Sequence, residues 1–198
     1  MAALFAILAG GRATRLGGEK VGAALGGRPL IFYPLDAAIA AAGVTEAVVA
    51  VVAKPGTKLP EPPSGLRLVR EPEQPVHPLC GIVTALHQAG GEPVVAVAAD
   101  MPFVTPELLR WLAGLADPIA VPSHAGRLHP LIARYSPAAL PALKAALEEE
   151  AAVQEAVASL SPRLVSGEEL SRFGEPERLL FNVNTPGDLN QAERMLIP

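Results

Sequence analysis

The densest chemistry in the chain lies in one stretch near its start, Leu8-Ala9-Gly10-Gly11-Arg12-Ala13-Thr14-Arg15-Leu16-Gly17-Gly18-Glu19-Lys20. Glycines let a backbone come close to a ligand and turn its N–H groups toward phosphate oxygens. Arg12, Arg15 and Lys20 add positive charge to the same loop. Backbone donors combined with cations suit a polyanion, most simply a nucleoside triphosphate. The spacing is not that of a P-loop: Gly11 and Gly17 are six apart, and Gly18-Glu19 follow where Lys-Ser/Thr is needed. The dinucleotide fingerprint GxGxxG is absent here as well. Kinase, GTPase and dinucleotide-dehydrogenase readings therefore drop out.

A triphosphate site also needs a hard cation, and its ligands are oxygens: for Mg²⁺, one or two carboxylates plus phosphates and water. Asp occurs only at Asp36, Asp100, Asp117 and Asp188, so the choice is narrow. Asp100 closes the apolar run Pro93–Ala99 and is expected at the same strand-end edge as the glycine loop, where open α/β sheets bind ligands. Its competing role is to cap the turn before Pro102. No CxxC pair or HExxH segment offers a zinc site. The lone Cys80 cannot form an internal disulfide, fits a reducing cytosol, and reads as a small buried hydrophobe.

These residues must be carried by a scaffold, and the hydrophobic pattern describes one. Leu4–Ala9, Glu46–Ala53 and Pro93–Ala99 are short apolar runs, the mark of strands buried on both faces of a mostly parallel sheet. Leu66–Arg70, Asp117–Val121 and Leu128–Tyr135 are further candidate strands. Helices are expected over Pro29–Ala42, Leu79–Ala89, Thr105–Ala116, Ala138–Ala151 and from Thr185–Pro186 to Ile197. Pro34 requires the first of these to begin near Tyr33 or to bend there. Lys58–Pro63 and Glu71–Pro78 read as surface loops. The β-α-β order implies right-handed crossovers and a three-layer α/β fold in a single domain, 1–198.

Composition removes other classes. A net charge of −4 argues against a nucleic-acid partner. Mean hydropathy is +0.32, yet apolar runs such as Ala47–Ala53 fall far short of the ~20 residues of a membrane helix. Met1–Gly11 lacks the basic start of a signal peptide, so a cytoplasmic location is expected.

The glycine-loop segment resembles the signature LAGGxSxRxGxxK of the molybdenum cofactor guanylyltransferases, and further segments match that family in order. His77-Pro78-Leu79-Cys80-Gly81-Ile82 is similar to its GPLAG motif and Ala99-Asp100-Met101-Pro102-Phe103 to CDxPF. Gly126–Pro130 is similar to its basic-His-Pro segment, and Phe181–Leu189 to FxNxNTPxDL. The resemblance spans Leu8 to Leu189. It implies a Rossmann-like fold of the nucleotide-diphospho-sugar-transferase type. It also implies Mg²⁺-dependent transfer of GMP from GTP to the molybdenum–molybdopterin cofactor, with release of pyrophosphate. Residues from about 1 to 105 would bind GTP and Mg²⁺, and those from about 106 to 198 the acceptor.

The resemblance carries roles onto individual residues. Lys20 would touch the α-phosphate and Arg15 the β- and γ-phosphates, with Arg12 sharing that task or facing solvent. Gly10 and Gly11 would supply backbone contacts, Leu8 and Ala9 would support base and ribose, and Gly10 itself goes with guanine over cytosine. Glu71 stands where the family commonly carries an Asp that contacts the nucleoside. Gly81 lies at a helix N-terminus suited to the ribose or an anion, and Asp100 would hold the metal. Arg127, His129, Asn182 and Asn184 are the acceptor candidates, against structural roles for the histidine and turn formation for the asparagines. Two stretches depart from the family: Val52-Ala53-Lys54-Pro55 replaces an asparagine-bearing segment, and Glu148–Glu155 is acidic where a basic GxR segment is usual. GTP, the molybdopterin cofactor and transient cofactor-delivery or acceptor proteins are the implied partners. Competing readings are transfer to another phosphorylated acceptor, such as a sugar phosphate or phospholactate, and a non-catalytic nucleotide-binding protein.

Overall fold

A computed structural model describes residues 2–10, 23–61, 63 and 66–196. Its centre is three parallel strands, β1 (Leu4–Leu8), β4 (Val48–Ala53) and β6 (Val94–Ala98), with β1 in the middle. Alternate side chains leave opposite faces. Phe5, Ile7, Val51 and Val97 enter one core, while Leu4, Ala6, Val52 and Ala96 enter another. The first core is covered by α1 (Phe32–Ala42) and α3 (Pro106–Ala113), the second by α2 (Pro78–Gln88) and α4 (Leu140–Glu148). The sequence reads as continuous apolar runs because both faces are buried. Each large side chain so buried contributes roughly 1.5–3 kcal/mol.

The sheet order is β10-β7-β9-β6-β1-β4-β5, where β5 is Arg67–Arg70, β7 Ile119–His124, β9 Ile132–Tyr135 and β10 Arg163–Val165. On this path only β9 runs antiparallel to its neighbours. The expected three-layer, mostly parallel α/β fold is the observed one.

Local differences from the sequence expectation have local causes. α1 starts at Phe32, which puts Pro34 in the first turn, where a missing N–H costs nothing. The run Leu128–Tyr135 is two strands, β8 (Arg127–Leu128) and β9. Pro130 interrupts the ladder, and Ile132 N donates to His129 O across the turn at 3.0 Å. Asn182 and Asn184 lie in an irregular segment before α8 (Pro186–Leu196). Glu71, expected in a surface loop, is buried.

The second half holds more elements than the sequence reading offers: α5 (Val153–Ser159), β10, α6 (Gly167–Leu170) and α7 (Pro176–Leu179). Ser166 and Glu169 close a reciprocal capping box at α6, and Arg163 joins β10 to Asp117 and Glu169.

A third, smaller core joins distant segments. Leu25 and Leu30, in and beside the hairpin of β2 (Ala24–Leu25) and β3 (Arg28–Pro29), meet Phe103, Val183 and Ala192. The Tyr33 hydroxyl donates to Leu25 O at 2.6 Å, and the Arg178 guanidinium lies 4.5 Å over the Phe103 ring. Replacing fully buried Leu25 by Ala should cost about 2–5 kcal/mol, read as a lowered urea midpoint with an unchanged denaturant slope.

Candidate active site

The parallel strands end at one level, and the residues that follow them meet there. Ala9 N donates to Val52 O (2.8 Å), Ala99 N to Leu8 O (3.1 Å) and Glu71 N to Ala53 O (3.1 Å). These bonds tie together the points where the chain leaves β1, β4, β5 and β6. Gly10, Lys54, Glu71 and Asp100 therefore share the carboxyl edge of the sheet, the usual ligand edge of an open α/β sheet. Gly11, Arg12, Arg15 and Lys20 lie outside the described residues.

Gly10 and Glu71 are in direct apposition. A Cβ built on Gly10 would fall 1.5 Å from Glu71 Oε1 and 2.5 Å from its Cδ. The carboxylate thus occupies the place a side chain at position 10 would take. Gly81, in the first turns of α2, faces the same oxygen and the Leu8 methyls. His77 caps α2: its Nδ1 accepts from Leu79 N at 3.2 Å, with Pro78 at the first helical position.

Glu71 is only 4% exposed, and its partner is Lys54, with Nζ 3.6 Å from Oε2. Lys54 also donates to the carbonyls of Pro72, Glu73 and Pro75, at 2.7, 3.1 and 3.1 Å. Burial pushes the Glu71 carboxyl above the ordinary carboxylate range, and the Lys54 charge pulls it back. Burial, and next the nearby Glu71 charge, raise the Cys80 thiol. Cys80 is buried, as its sequence reading expects.

Asp100 follows β6 and is 7% exposed. Its carbonyl accepts from Val183 N at 2.9 Å, which brings the Asn182–Asn184 segment against the Asp100 turn. That segment is held by a second reciprocal cap: Asp188 Oδ2 accepts from Asn184 N and Thr185 N, while Thr185 Oγ1 accepts from Asp188 N. Among the described residues, no three His, Cys, Asp or Glu side chains gather into a metal cage.

Arg127 and His129 sit in the connection from β7 to β9, at the same edge. Ala98 N donates to Leu131 O at 2.7 Å, and His129 N to Pro122 O at 2.9 Å. Burial, then the charges of Arg127 and His124, push the His129 imidazole down to about 4. The ring is neutral at neutral pH and can accept as well as donate a hydrogen bond.

Residues 5–164 match the model of the MobA-like NTP transferase domain. The chain belongs to that family. It is therefore a nucleotidyltransferase, and the carboxyl-edge cluster is its candidate active site. A relative from Pelotomaculum thermopropionicum, named probable molybdenum cofactor guanylyltransferase, is 35% identical over 193 residues, covering 96% of this chain and 91% of that one. One of the same name from Thermococcus sibiricus is 31% identical over 196 residues, 96% and 97% of the two chains. The crystal structure of molybdopterin-guanine dinucleotide biosynthesis protein A from Archaeoglobus fulgidus superposes with a TM-score of 0.77 at 25% identity, over 99% of this chain and 98% of that one. Among the described residues, no helix of this family member is long and apolar enough to cross a membrane.

Two outcomes follow from the geometry. Gly10→Ala should destabilise the protein by about 1–3 kcal/mol through overpacking, and the cost should largely vanish in a Glu71→Ala background, as a double-mutant cycle by thermal unfolding would read. Unfolded, the His129 ring takes a proton near pH 6.5; folded, only near 4. The unfolded state binds more protons between those values, so stability is lost as pH falls across that window. His129→Gln should flatten urea-measured stability against pH between about 6.5 and 4.

Proposed function

We propose that the protein transfers GMP from GTP to the molybdenum–molybdopterin cofactor, forming the guanine dinucleotide and pyrophosphate. The observation that carries this reading is the buried Glu71 carboxylate against Gly10, on the same sheet edge as Asp100. An anionic acceptor within a nucleoside pocket complements the N–H donors of a base, and the names of the relatives agree with guanylyl transfer to this cofactor.

In such a transfer a terminal phosphate oxygen of the acceptor attacks the α-phosphorus while the bond to the β-phosphate oxygen breaks, and pyrophosphate departs. No covalent enzyme intermediate is needed, so the protein's work is positioning and neutralisation of charge. Lys20 would meet the α-phosphate, Arg15 the β- and γ-phosphates, and Arg12 would join them or face solvent. Gly10 and Gly11 would let the backbone approach, with Leu8 and Ala9 beneath the base and ribose, and Glu71 and Gly81 against the nucleoside. Asp100 fits the hard-cation role: it is a buried carboxylate at the right edge, and Mg²⁺ draws its remaining ligands from phosphates and water. When bound, Mg²⁺ would neutralise phosphate charge. Arg127, His129, Asn182 and Asn184 would bind the acceptor, which places acceptor recognition after about residue 105. The partners are GTP, the molybdopterin cofactor and transient proteins that deliver or receive it, in the cytoplasm.

Pyrophosphate release should require GTP, Mg²⁺ and the molybdopterin cofactor together. Asp100→Asn should lower turnover by at least about a hundredfold with circular dichroism unchanged. CTP or UTP outperforming GTP would overturn the guanine assignment. A sugar phosphate outperforming molybdopterin would overturn the acceptor.

A further inference from the structure

Lys54 has no part in the reading above. Its side chain is only 13% exposed, although lysine ordinarily keeps its charge in water. An ammonium has three N–H donors, and here carbonyl oxygens of Pro72, Glu73 and Pro75 engage them. The Glu71 carboxylate, 3.6 Å away, meets the charge of Lys54 beyond ordinary hydrogen-bond reach. An ionised carboxylate only accepts, at about four lone-pair sites; the Cys80 thiol engages Glu71, and the carboxylate keeps capacity for donors from a ligand. A lysine present only to neutralise a buried acid would bond to it directly. This one fixes the backbone that follows Glu71 and lends the carboxylate a charge without covering it.

We propose that Lys54 is a positioning residue for base recognition: it clamps the 71–75 segment and sets its charge beside the Glu71 carboxylate across Gly10, where that carboxylate accepts from the N1–H and N2–H₂ donors of guanine. The chemistry selects guanine because its edge presents these two donors side by side. Adenine and cytosine each set one amino donor beside a ring-nitrogen acceptor, which a carboxylate repels. Burial raises the Glu71 carboxyl, and the charge of Lys54 acts against that rise. The proposal deepens the guanylyl-transfer reading and rests on it.

The test is calorimetric titration of the full chain with GTP, ATP and inorganic tripolyphosphate, each with Mg²⁺. The variants are Lys54→Met, Glu71→Gln and the pair combined. Lys54→Met should weaken GTP binding at least about tenfold, leave tripolyphosphate within about twofold, and close the gap between GTP and ATP. Glu71→Gln should do the same, and the double variant should be no worse than either, because Lys54 acts through Glu71. Unchanged GTP affinity in Lys54→Met overturns the proposal. So does an equal loss for GTP and tripolyphosphate, which would make Lys54 a brace of the fold, or additive losses in the double variant. If Lys54→Met does not fold, an unchanged GTP-to-ATP ratio in Glu71→Gln overturns the proposal equally well, and a closed ratio supports it. A wild type that prefers another nucleotide to GTP overturns the guanylyl-transfer reading together with this one. The other overturning outcomes leave the wild type's GTP preference standing.

Discussion

Both faces of the central sheet are covered by helices, so its interior backbone groups have no water to turn to and must pair with one another. β1 satisfies this by lying between β4 and β6 without stagger: Leu4 pairs with Val48 and Val94, and Leu8 with Val52 and Ala98. One further rung continues beyond the strands, through Ala9 N to Val52 O and Ala99 N to Leu8 O. Residues after that rung leave the sheet at a common height. Gly10, Lys54 and Asp100 are neighbours on one edge because the ladder is in register. A slip of one residue in any strand would also turn its core side chains to the wrong face.

The first half of this architecture is plain in the sequence for the same reason. Strands that must be apolar on both sides announce themselves as runs such as Val48–Ala53, and Thr105-Pro106-Glu107 is a complete helix start written in consecutive residues. The second half is harder to read because its elements are short and lean on distant partners. β10 has three residues and exists by pairing with β7, while α6 and α7 have four residues each. The capping box of Ser166 and Glu169 and the Pro176-Glu177 opening of α7 are the local signals there. Of the site, Asp100 is legible because aspartate is scarce and follows a strand, whereas the Gly10 to Glu71 apposition is a tertiary fact.

Two departures from the family pattern gain meaning together. Glutamate for aspartate at position 71 and lysine in place of an asparagine-bearing stretch look unrelated in sequence. They meet because β4 and β5 pair in parallel, with Ala53 opposite Arg70, so the next residue of each chain segment emerges side by side. The added methylene of glutamate is accommodated by the missing Cβ of Gly10, and Lys54 favours the charge that burial disfavours. Each residue is intelligible only with the other two.

The single reversed strand on the main path, β9, has an evolutionary consequence. Parallel neighbours are joined by long crossovers, so changing the connection between them means rebuilding a helix. β7 and β9 are antiparallel and need only a short return, which carries Arg127 and His129 at the carboxyl edge. Insertions and deletions in that return can reshape one end of the carboxyl edge while the parallel rungs of the sheet stay in place. The fold therefore contains a part that can diverge freely beside one that cannot, and descendants of this scaffold can rebuild that return while the parallel strands and the residues that follow them stay fixed.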